Sequence, residues 1–383
     1  MKDALTDTVR RFALAEIAPQ VTGWDTAGEF PRGLHARAAA LGLLGLGYPE
    51  ALGGTPATHA LKVAMTVAVA RHGKSGGVLA SLFSHNIGLP PVLLHGSDAV
   101  REEVIPPVLR GERIAALAIT EPGGGSDVAS LRTTARRDGD DYVVNGEKTF
   151  ITSGMRADWL TVAVRTGLED GRRGAGGISM LLVPGDSAGL TRTRLDKMGW
   201  LCSDTASLHF DDVRVPARLR LGDEGAGFRM IMANFNGERL ALAAASLGFA
   251  QACLDEALAW ARERKTFGTP LLGHQAIRHR LADMQMRIAS TEAWLDAVAA
   301  QGDALEAQGI VNAPEWVAAI CLLKNHATQT MQFCADAAVQ ILGGMGYMRG
   351  TVSERIYREV KVMMIGGGAE EIMKELAAKQ LGW

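Results

Sequence analysis

The hydrophobic repeat of this 383-residue chain changes character twice, and that double change restricts the fold more than any single motif does. From residue 1 to about 112, Ala/Leu-rich stretches carry helical spacing, broken at Pro31, Pro49 and Pro56 and again at Pro90-Pro91 and Pro106-Pro107. From Ala115 to about Pro216 short β-rich segments take over, at Ala115 to Ile119, Trp159 to Val164, Ile178 to Val183, Leu190 to Leu195 and Ser207 to Val215. After the turn-rich Gly222-Asp223-Glu224-Gly225-Ala226-Gly227 the helical period returns and runs to the end, interrupted at Pro270 and Pro314, with a tight turn at Gly343 to Gly346. The pattern predicts a mainly α chain with a central β domain, divided as 1–112, 113–220 and 221–383. No internal repeat or low-complexity linker separates the segments, so they are expected to pack as one unit.

A chain this long exceeds one core of ordinary size, and 47% hydrophobic residues are enough to bury two or three. A formal charge of −2 and 5% aromatic residues leave no electrostatic footprint for nucleic acid. Arg136-Arg137 and Arg172-Arg173 read as solvated loop charges. Apolar runs such as Val67 to Ala70 fall far short of a bilayer span, so no membrane insertion is expected. The N-terminus enters an amphipathic pattern through Leu5, Val9, Phe12 and Ile17, which reads as the first helix of the fold. Cys202, Cys253, Cys321 and Cys334 are scattered, with no metal-ligand spacing. The expectation is therefore four free thiols, no metal site and a reducing, cytoplasmic setting. A nicotinamide enzyme is disfavoured, because no glycine cluster here lies between a strand and a helix in a βαβ unit.

Two stretches carry the chemical signal. Thr120-Glu121-Pro122-Gly123-Gly124-Gly125-Ser126-Asp127 follows the apolar run at Ala115, and its glycines allow backbone to approach a ligand more closely than a Cβ permits. Asn145-Gly146-Glu147-Lys148-Thr149-Phe150-Ile151-Thr152 reads as a two-residue hairpin turn at Asn145-Gly146 leading into a strand that ends near Thr152. Singly, each is an ordinary turn.

Together and in order, the two stretches resemble the acyl-CoA dehydrogenase family, and the resemblance extends along nearly the whole chain. It includes Lys197-Met198-Gly199 with Ser203-Asp204-Thr205, Arg264-Lys265-Thr266-Phe267-Gly268 with His274-Gln275, and Gln340-Ile341-Leu342-Gly343-Gly344-Met345-Gly346-Tyr347. It implies a helical N-terminal domain, a small β-barrel and a C-terminal four-helix bundle. The implied cofactor is FAD, held by Thr120, Ser126, Phe150 and Thr152 and, across a dimer interface, by Arg264, Phe267, Gln275, Gln340 and Gly344, with Glu371 also at a cofactor position. Arg264 suits a pyrophosphate, because a guanidinium pairs with two phosphate oxygens at once. The substrate side would involve Ser126, Asn236 and Arg239. The bland readings are a charged helix end for Arg264-Lys265 and a helix C-cap for Gly343-Gly344.

The family's α,β-dehydrogenation of an acyl-CoA thioester needs a carboxylate to take the α-proton. Many members carry that glutamate in a Tyr-Glu-Gly-Thr segment near the C-terminus, and the matching position here is Gly367. Isovaleryl-like and some long-chain members place it on an earlier helix before an arginine, where this chain has Asn236-Gly237-Glu238-Arg239-Leu240. On a helix Glu238 shares a face with Ile231, Phe235, Ala241 and Leu242, so its carboxyl enters apolar surroundings that raise its pKa toward working pH. The bland reading is an ion pair between Glu238 and Arg239 or a neighbouring helix. Gly367 keeps the backbone N–H that, in the family, bonds the thioester carbonyl oxygen. Glu370 and Glu371 are rival bases.

The expected activity is FAD-dependent conversion of an acyl-CoA to the trans-2-enoyl-CoA, with electrons passed to an electron-transfer flavoprotein, by a homodimer or homotetramer. Alternatives on the same scaffold are a flavin oxidase, a dehydrogenase of acyl groups on a carrier protein, or an inactive flavoprotein subunit.

Overall fold

The computed structural model describes residues 2–383 apart from 168–170 and 172–173. Eight helices open the chain: α1 (Lys2–Phe12), α2 (Val21–Ala27), α3 (Gly33–Ala40), α4 (His59–Gly73), α5 (Gly76–Leu82), α6 (His85–Gly88), α7 (Pro90–His95) and α8 (Asp98–Leu109). The amphipathic start behaves as its sequence predicts, since Val9, Phe12 and Ile17 are buried against Phe30, Leu34 and Met65. Pro90 begins α7, where its missing N–H costs nothing. Pro106 and Pro107 do not break a helix as expected; they lie in the last turns of α8, so one intrahelical bond each is all they remove before the helix ends at Leu109.

An eight-stranded sheet follows, built from β1 (Ala115–Ala118), β2 (Thr134–Asp138), β3 (Asp141–Thr152), β4 (Trp159–Arg165), β5 (Ile178–Pro184), β6 (Leu190–Arg194), β7 (Thr205–Pro216) and β8 (Arg220–Leu221). Its order is β6-β7-β3-β2-β4-β5-β8, with β1 parallel to β4. One expectation is corrected here. Asn145-Gly146 is not a hairpin turn but a bulge inside β3, where pairing with β7 slips between Val144 and Gly146. The hairpin lies earlier, at Gly139 (φ 61°), between the paired Asp138 and Asp141. Gly146 is needed because a Cβ there would sit 2.7 Å from the Thr133 backbone, and Asn145 is spent on two hydrogen bonds with Asp212. Arg136-Arg137 also differs from its reading: both are exposed, but on β2 rather than in a loop. Arg172-Arg173 lies outside the described residues.

The C-terminal part comprises α9 (Gly227–Glu263), a short hairpin of β9 (Lys265–Thr266) and β10 (Thr269–Pro270), then α10 (Gln275–Ala307), α11 (Pro314–Leu342), α12 (Gly344–Tyr347), α13 (Val352–Ile365) and α14 (Glu370–Gln380). Of these, α9 passes from one core to another. Its first turns bury Met230 and Ile231 beneath the sheet with Leu117, Val162 and Leu181, whereas from Leu240 onward it packs on α11 and α13 through Ala244, Leu247 and Phe249. At Gly248 the approach to α4 is so close that a Cβ would lie 2.5 Å from the Val67 carbonyl. Between the two cores, residues 236–239 are polar. All four cysteines are buried free thiols. Among the described residues no single helix is long and apolar enough to cross a membrane.

Candidate active site

The first wall is laid down where β1 ends. The Thr149 N–H donates to the Thr120 carbonyl at 2.8 Å, so β3 and the Thr120 loop are tied at the point where both leave regular pairing. Beneath them Lys148, fully buried, donates to a Glu121 carboxylate oxygen at 2.8 Å and to the Ile119 carbonyl at 3.0 Å. The same carboxylate accepts the backbone N–H groups of Arg132 and Thr133 at 2.6 and 2.9 Å. Burial pulls the Lys148 ammonium down to about 8, against the attraction of Glu121. At Glu121 burial works against ionisation, but the charge and hydrogen bonds of Lys148 and Thr133 prevail and hold the carboxyl below its usual range.

Above this anchor the loop closes in a tight turn, with the Gly124 N–H donating to the Glu121 carbonyl at 3.0 Å. Neither Gly123 nor Gly124 has a left-handed φ, and a Cβ on Gly123 would meet nothing within 4 Å. Backbone torsion and packing inside the chain therefore leave their lack of side chains unexplained, whereas close approach of a ligand accounts for it. Across the tie, the second slip in β3 between Lys148 and Ile151 turns Phe150 outward at φ 60°, with 69% of it exposed. A non-glycine residue in that region is strained, and the Phe150 ring is left open to solvent. Thr152 pairs with Thr205, and the adjoining Ser153 N–H donates to the Asp204 carbonyl at 2.9 Å. Lys197 donates to Thr205 Oγ1 at 2.8 Å and to the Ser203 carbonyl. Thus Thr120, Phe150, Thr152 and the Ser203-Asp204-Thr205 segment are assembled as one wall, while Ser126 stands exposed at its rim.

The second wall is the polar gap in α9. Glu238 is half-buried, with Ile231 buried and Phe235 and Leu242 half-buried along its face; Ala241, expected there, is exposed. Desolvation raises the Glu238 carboxyl above its usual range, opposed by Arg239 and then Lys324. No ion pair within 4.0 Å reaches Glu238 among the described residues, which removes the bland structural reading. Arg239 is occupied elsewhere. Its Nε donates to the Gly367 carbonyl at 2.9 Å and its Nη1 to Asn236 Oδ1 at 3.2 Å, and it lies over the Phe235 ring. Asn236 in turn donates to Asn312 Oδ1 at 2.7 Å.

Gly367 completes this wall. Its φ is 66°, and a Cβ built on it would lie 3.7 Å from Glu238 Oε1. The carboxylate of the earlier helix therefore fills the place next to which a side chain at 367 would start. Of the rival bases, Glu370 accepts from Gln329 at 3.0 Å on the outer side and Glu371 is exposed. Lys324 was not foreseen. It is fully buried on α11 and donates to the Met364 and Gly368 carbonyls, both at 2.8 Å. Its only sequence signal is a lone lysine within the apolar stripe Ile320, Leu323, Ala327 and Met331. Lys148 was likewise missed, although it lies inside a motif singled out for other reasons.

The remaining residues stay on the surface of the single chain. Arg264 and Gln275 flank the β9–β10 hairpin and are exposed; Phe267, at the tip with φ 52°, is 99% exposed. Gln340 and Gly344 are exposed at the far end of α11, beside Tyr347, itself 88% exposed. No hydrogen bond among the described residues joins these groups to the Thr120–Thr152 wall.

The chain matches three family models in order: acyl-CoA dehydrogenase N-terminal domain over residues 2–112, middle domain over 116–213 and C-terminal domain over 225–382. It is similar to a solved putative acyl-CoA dehydrogenase from Mycobacterium smegmatis, at 46% identity and a TM-score of 0.94, covering 99% of this chain and 97% of that one. It is 36% identical to a probable acyl-CoA dehydrogenase of Bacillus subtilis strain 168, covering 98% of this chain and 96% of the relative. A cyclohexane-1-carbonyl-CoA dehydrogenase of Geobacter metallireducens is also 36% identical, with the same coverage.

Proposed function

From the premise that the chain belongs to the acyl-CoA dehydrogenase family, FAD-dependent oxidoreductases that bind acyl-CoA and oligomerise, we propose that it oxidises an acyl-CoA to the trans-2-enoyl-CoA with Glu238 as base. The observation that carries this reading is the approach of Glu238 Oε1 to within 3.7 Å of the Cβ place of Gly367, with no ion-pair partner of its own.

FAD, when bound, takes up the hydride equivalent that leaves the β-carbon. The residues fit such a ring. Thr120 and Thr152 offer hydroxyls, Phe150 an exposed aromatic face, and Gly123 and Gly124 open backbone. Everything else is the work of this chain. Glu238 receives the α-proton on its carboxylate as the C–H electron pair moves into the new Cα–Cβ double bond. Its desolvated setting raises proton affinity, which makes it an effective base near neutral pH. The Gly367 N–H faces the thioester carbonyl and supports the charge that gathers on its oxygen; such a donor is typically worth about 3 kcal/mol. Arg239 donates to the Gly367 carbonyl, in the next peptide along, and so holds the residue that carries this N–H. Ser126 and Asn236 line the substrate side.

The three segments 1–112, 113–220 and 221–383 serve as helical, sheet and helical domains around this site. A second copy supplies what one chain leaves bare: Phe267, Gln340 and Gly344 present open surface, and Arg264 and Gln275 complete the cofactor's phosphate and adenosine end across that contact. The electron acceptor is an electron-transfer flavoprotein.

Purified Glu238→Gln should retain its yellow cofactor but lose anaerobic bleaching by acyl-CoA at least 100-fold, the lower range for a general base. Bleaching at the wild-type rate would remove Glu238 from this role. A panel of straight, branched and alicyclic acyl-CoAs on the wild type identifies the acyl group.

A further inference from the structure

A buried ammonium with no carboxylate partner is a costly thing to keep, and Lys324 is one. Its side chain is wholly inside the bundle, yet no ion pair within 4.0 Å involves it among the described residues. Its two hydrogen bonds go to backbone carbonyls alone, Met364 at the end of α13 and Gly368 just beyond. A methionine or leucine would fill the same volume without desolvating a charge. What distinguishes the site is its neighbour. The carbonyls of Gly367 and Gly368 are gripped by two different helices, the first by Arg239 on α9 and the second by Lys324 on α11. Both grips fall on glycines of positive φ, and Glu238 faces the first of them, Gly367.

Resting on the assignment of Glu238 as base, we propose that Lys324 is a positioning residue for proton abstraction, pinning the turn from Met364 to Gly368 on which the Gly367 N–H sits opposite Glu238 and adding a positive charge to the surroundings of that carboxylate. Two cations oppose the desolvation of Glu238, Arg239 and Lys324. Arg239 keeps its charge at every working pH, so Lys324 is the one that titrates. Burial pulls it down to about 8, with Glu370 on α14 and Glu238 on α9 opposing that fall, Arg239 adding to it and Cys321 on α11 nearby. Below that pH the clamp and the charge are both present. Above it the ammonium loses a proton, and Glu238 loses one of its two electrostatic supports.

The test compares Lys324→Gln, which keeps hydrogen-bond donors without charge, with Lys324→Met, which keeps neither. Two readouts are taken on the holoenzyme: the pH profile of anaerobic bleaching by an acyl-CoA, and the pH midpoint of the Glu238 carboxyl infrared band, identified by its disappearance in Glu238→Gln. In both variants the acid midpoint should rise by about one pH unit, as expected when a nearby opposite charge is removed, and the alkaline decline near pH 8 should vanish. The maximal rate should fall on the order of 100-fold in Lys324→Met and less in Lys324→Gln, with KM little changed. A lower melting temperature with unmoved midpoints in both variants would overturn the proposal and leave Lys324 a helix-capping lysine. Should Lys324→Met fail to fold, Lys324→Gln alone decides. The infrared midpoint also separates the two claims: if Glu238→Gln still bleaches, the base assignment fails, while the grip of Lys324 on Glu238 is judged by the band.

Discussion

Lys148 and Glu121 set the terms at the scale of single residues. Glu121 gathers three donors, Lys148 Nζ and the Thr133 N–H on one oxygen and the Arg132 N–H on the other, in a setting where an unpaired charge is prohibitive. Lys148→Met should therefore destabilise the protein by about 3–5 kcal/mol, seen as a lower denaturant midpoint, because it strands a buried carboxylate. The double variant Lys148→Met/Glu121→Gln should cost less than the sum of the two single changes. Equal or additive costs would show that the pair is not coupled. This pair was invisible in the sequence for a plain reason: an alternating strand pattern gives the face a residue points to, not whether a buried cation has found a partner 27 positions away. The candidacy of Glu238 could be raised from sequence because an acidic residue on an apolar helical face, with glycine at the other family position, leaves few structural explanations. Lys324 carries a similar signal in its apolar stripe, but its partners are backbone carbonyls of another segment and leave no mark on residue identity.

Helix ends and strand pairings decide the next scale. Glu359 on α13 is fully buried and accepts the Gly76 N–H at 2.9 Å, tying α13 to the first turn of α5. Burial pushes this carboxyl up to about 7, with Asp25 adding to the rise and the Gly76 bond, Arg355 and Arg358 opposing it. Between its ordinary value of 4.5 and about 7 the folded protein thus holds a proton that the unfolded chain has released. Stability should fall with rising pH across that window, and Glu359→Gln should flatten the fall in unfolding free energy measured by denaturant titration. An unchanged slope in the variant would place the proton elsewhere. Elements themselves were largely readable from period and composition, as the strands at Trp159, Ile178 and Ser207 demonstrate. The misreading of Asn145-Gly146 has a physical cause: the same dipeptide serves a turn or a bulge, and the choice is made by β7, some 65 residues later. Pro106-Pro107 misled in the same way, since a proline near a helix end removes bonds the helix was about to lose.

At the scale of the whole molecule, the proposed active site is a consequence of one long helix leaving one core for another. Between Ile231, buried in the sheet core, and Leu240, buried in the bundle core, α9 carries Asn236, Glu238 and Arg239 with Phe235 and Leu242 half-buried beside them. The exposed Phe267 and Tyr347 then argue that one chain is not the working unit. Phe267→Ser with Tyr347→Ser should shift the protein toward monomer in sedimentation and weaken FAD retention on dialysis, with the thermal stability of the individual chain little altered. A variant that stays associated and keeps its cofactor would show that these residues face solvent in the assembly. The order of the three segments was plain in the sequence, but their meeting at residues 236–239 and 366–368 depends on packing that no local pattern encodes.

The central claim is that the Glu238 carboxylate takes the α-proton, and hydrogen exchange at that carbon reports on it without reference to any later electron transfer. Holoenzyme in heavy water, incubated with an acyl-CoA analogue that cannot lose its β-hydrogen, is followed by mass spectrometry for deuterium at the α-carbon. Wild type and the Glu370→Gln and Glu371→Gln variants should incorporate deuterium at comparable rates, while Glu238→Gln should be slower by at least 100-fold. Exchange by Glu238→Gln at the wild-type rate, or its loss in Glu370→Gln instead, would contradict the account.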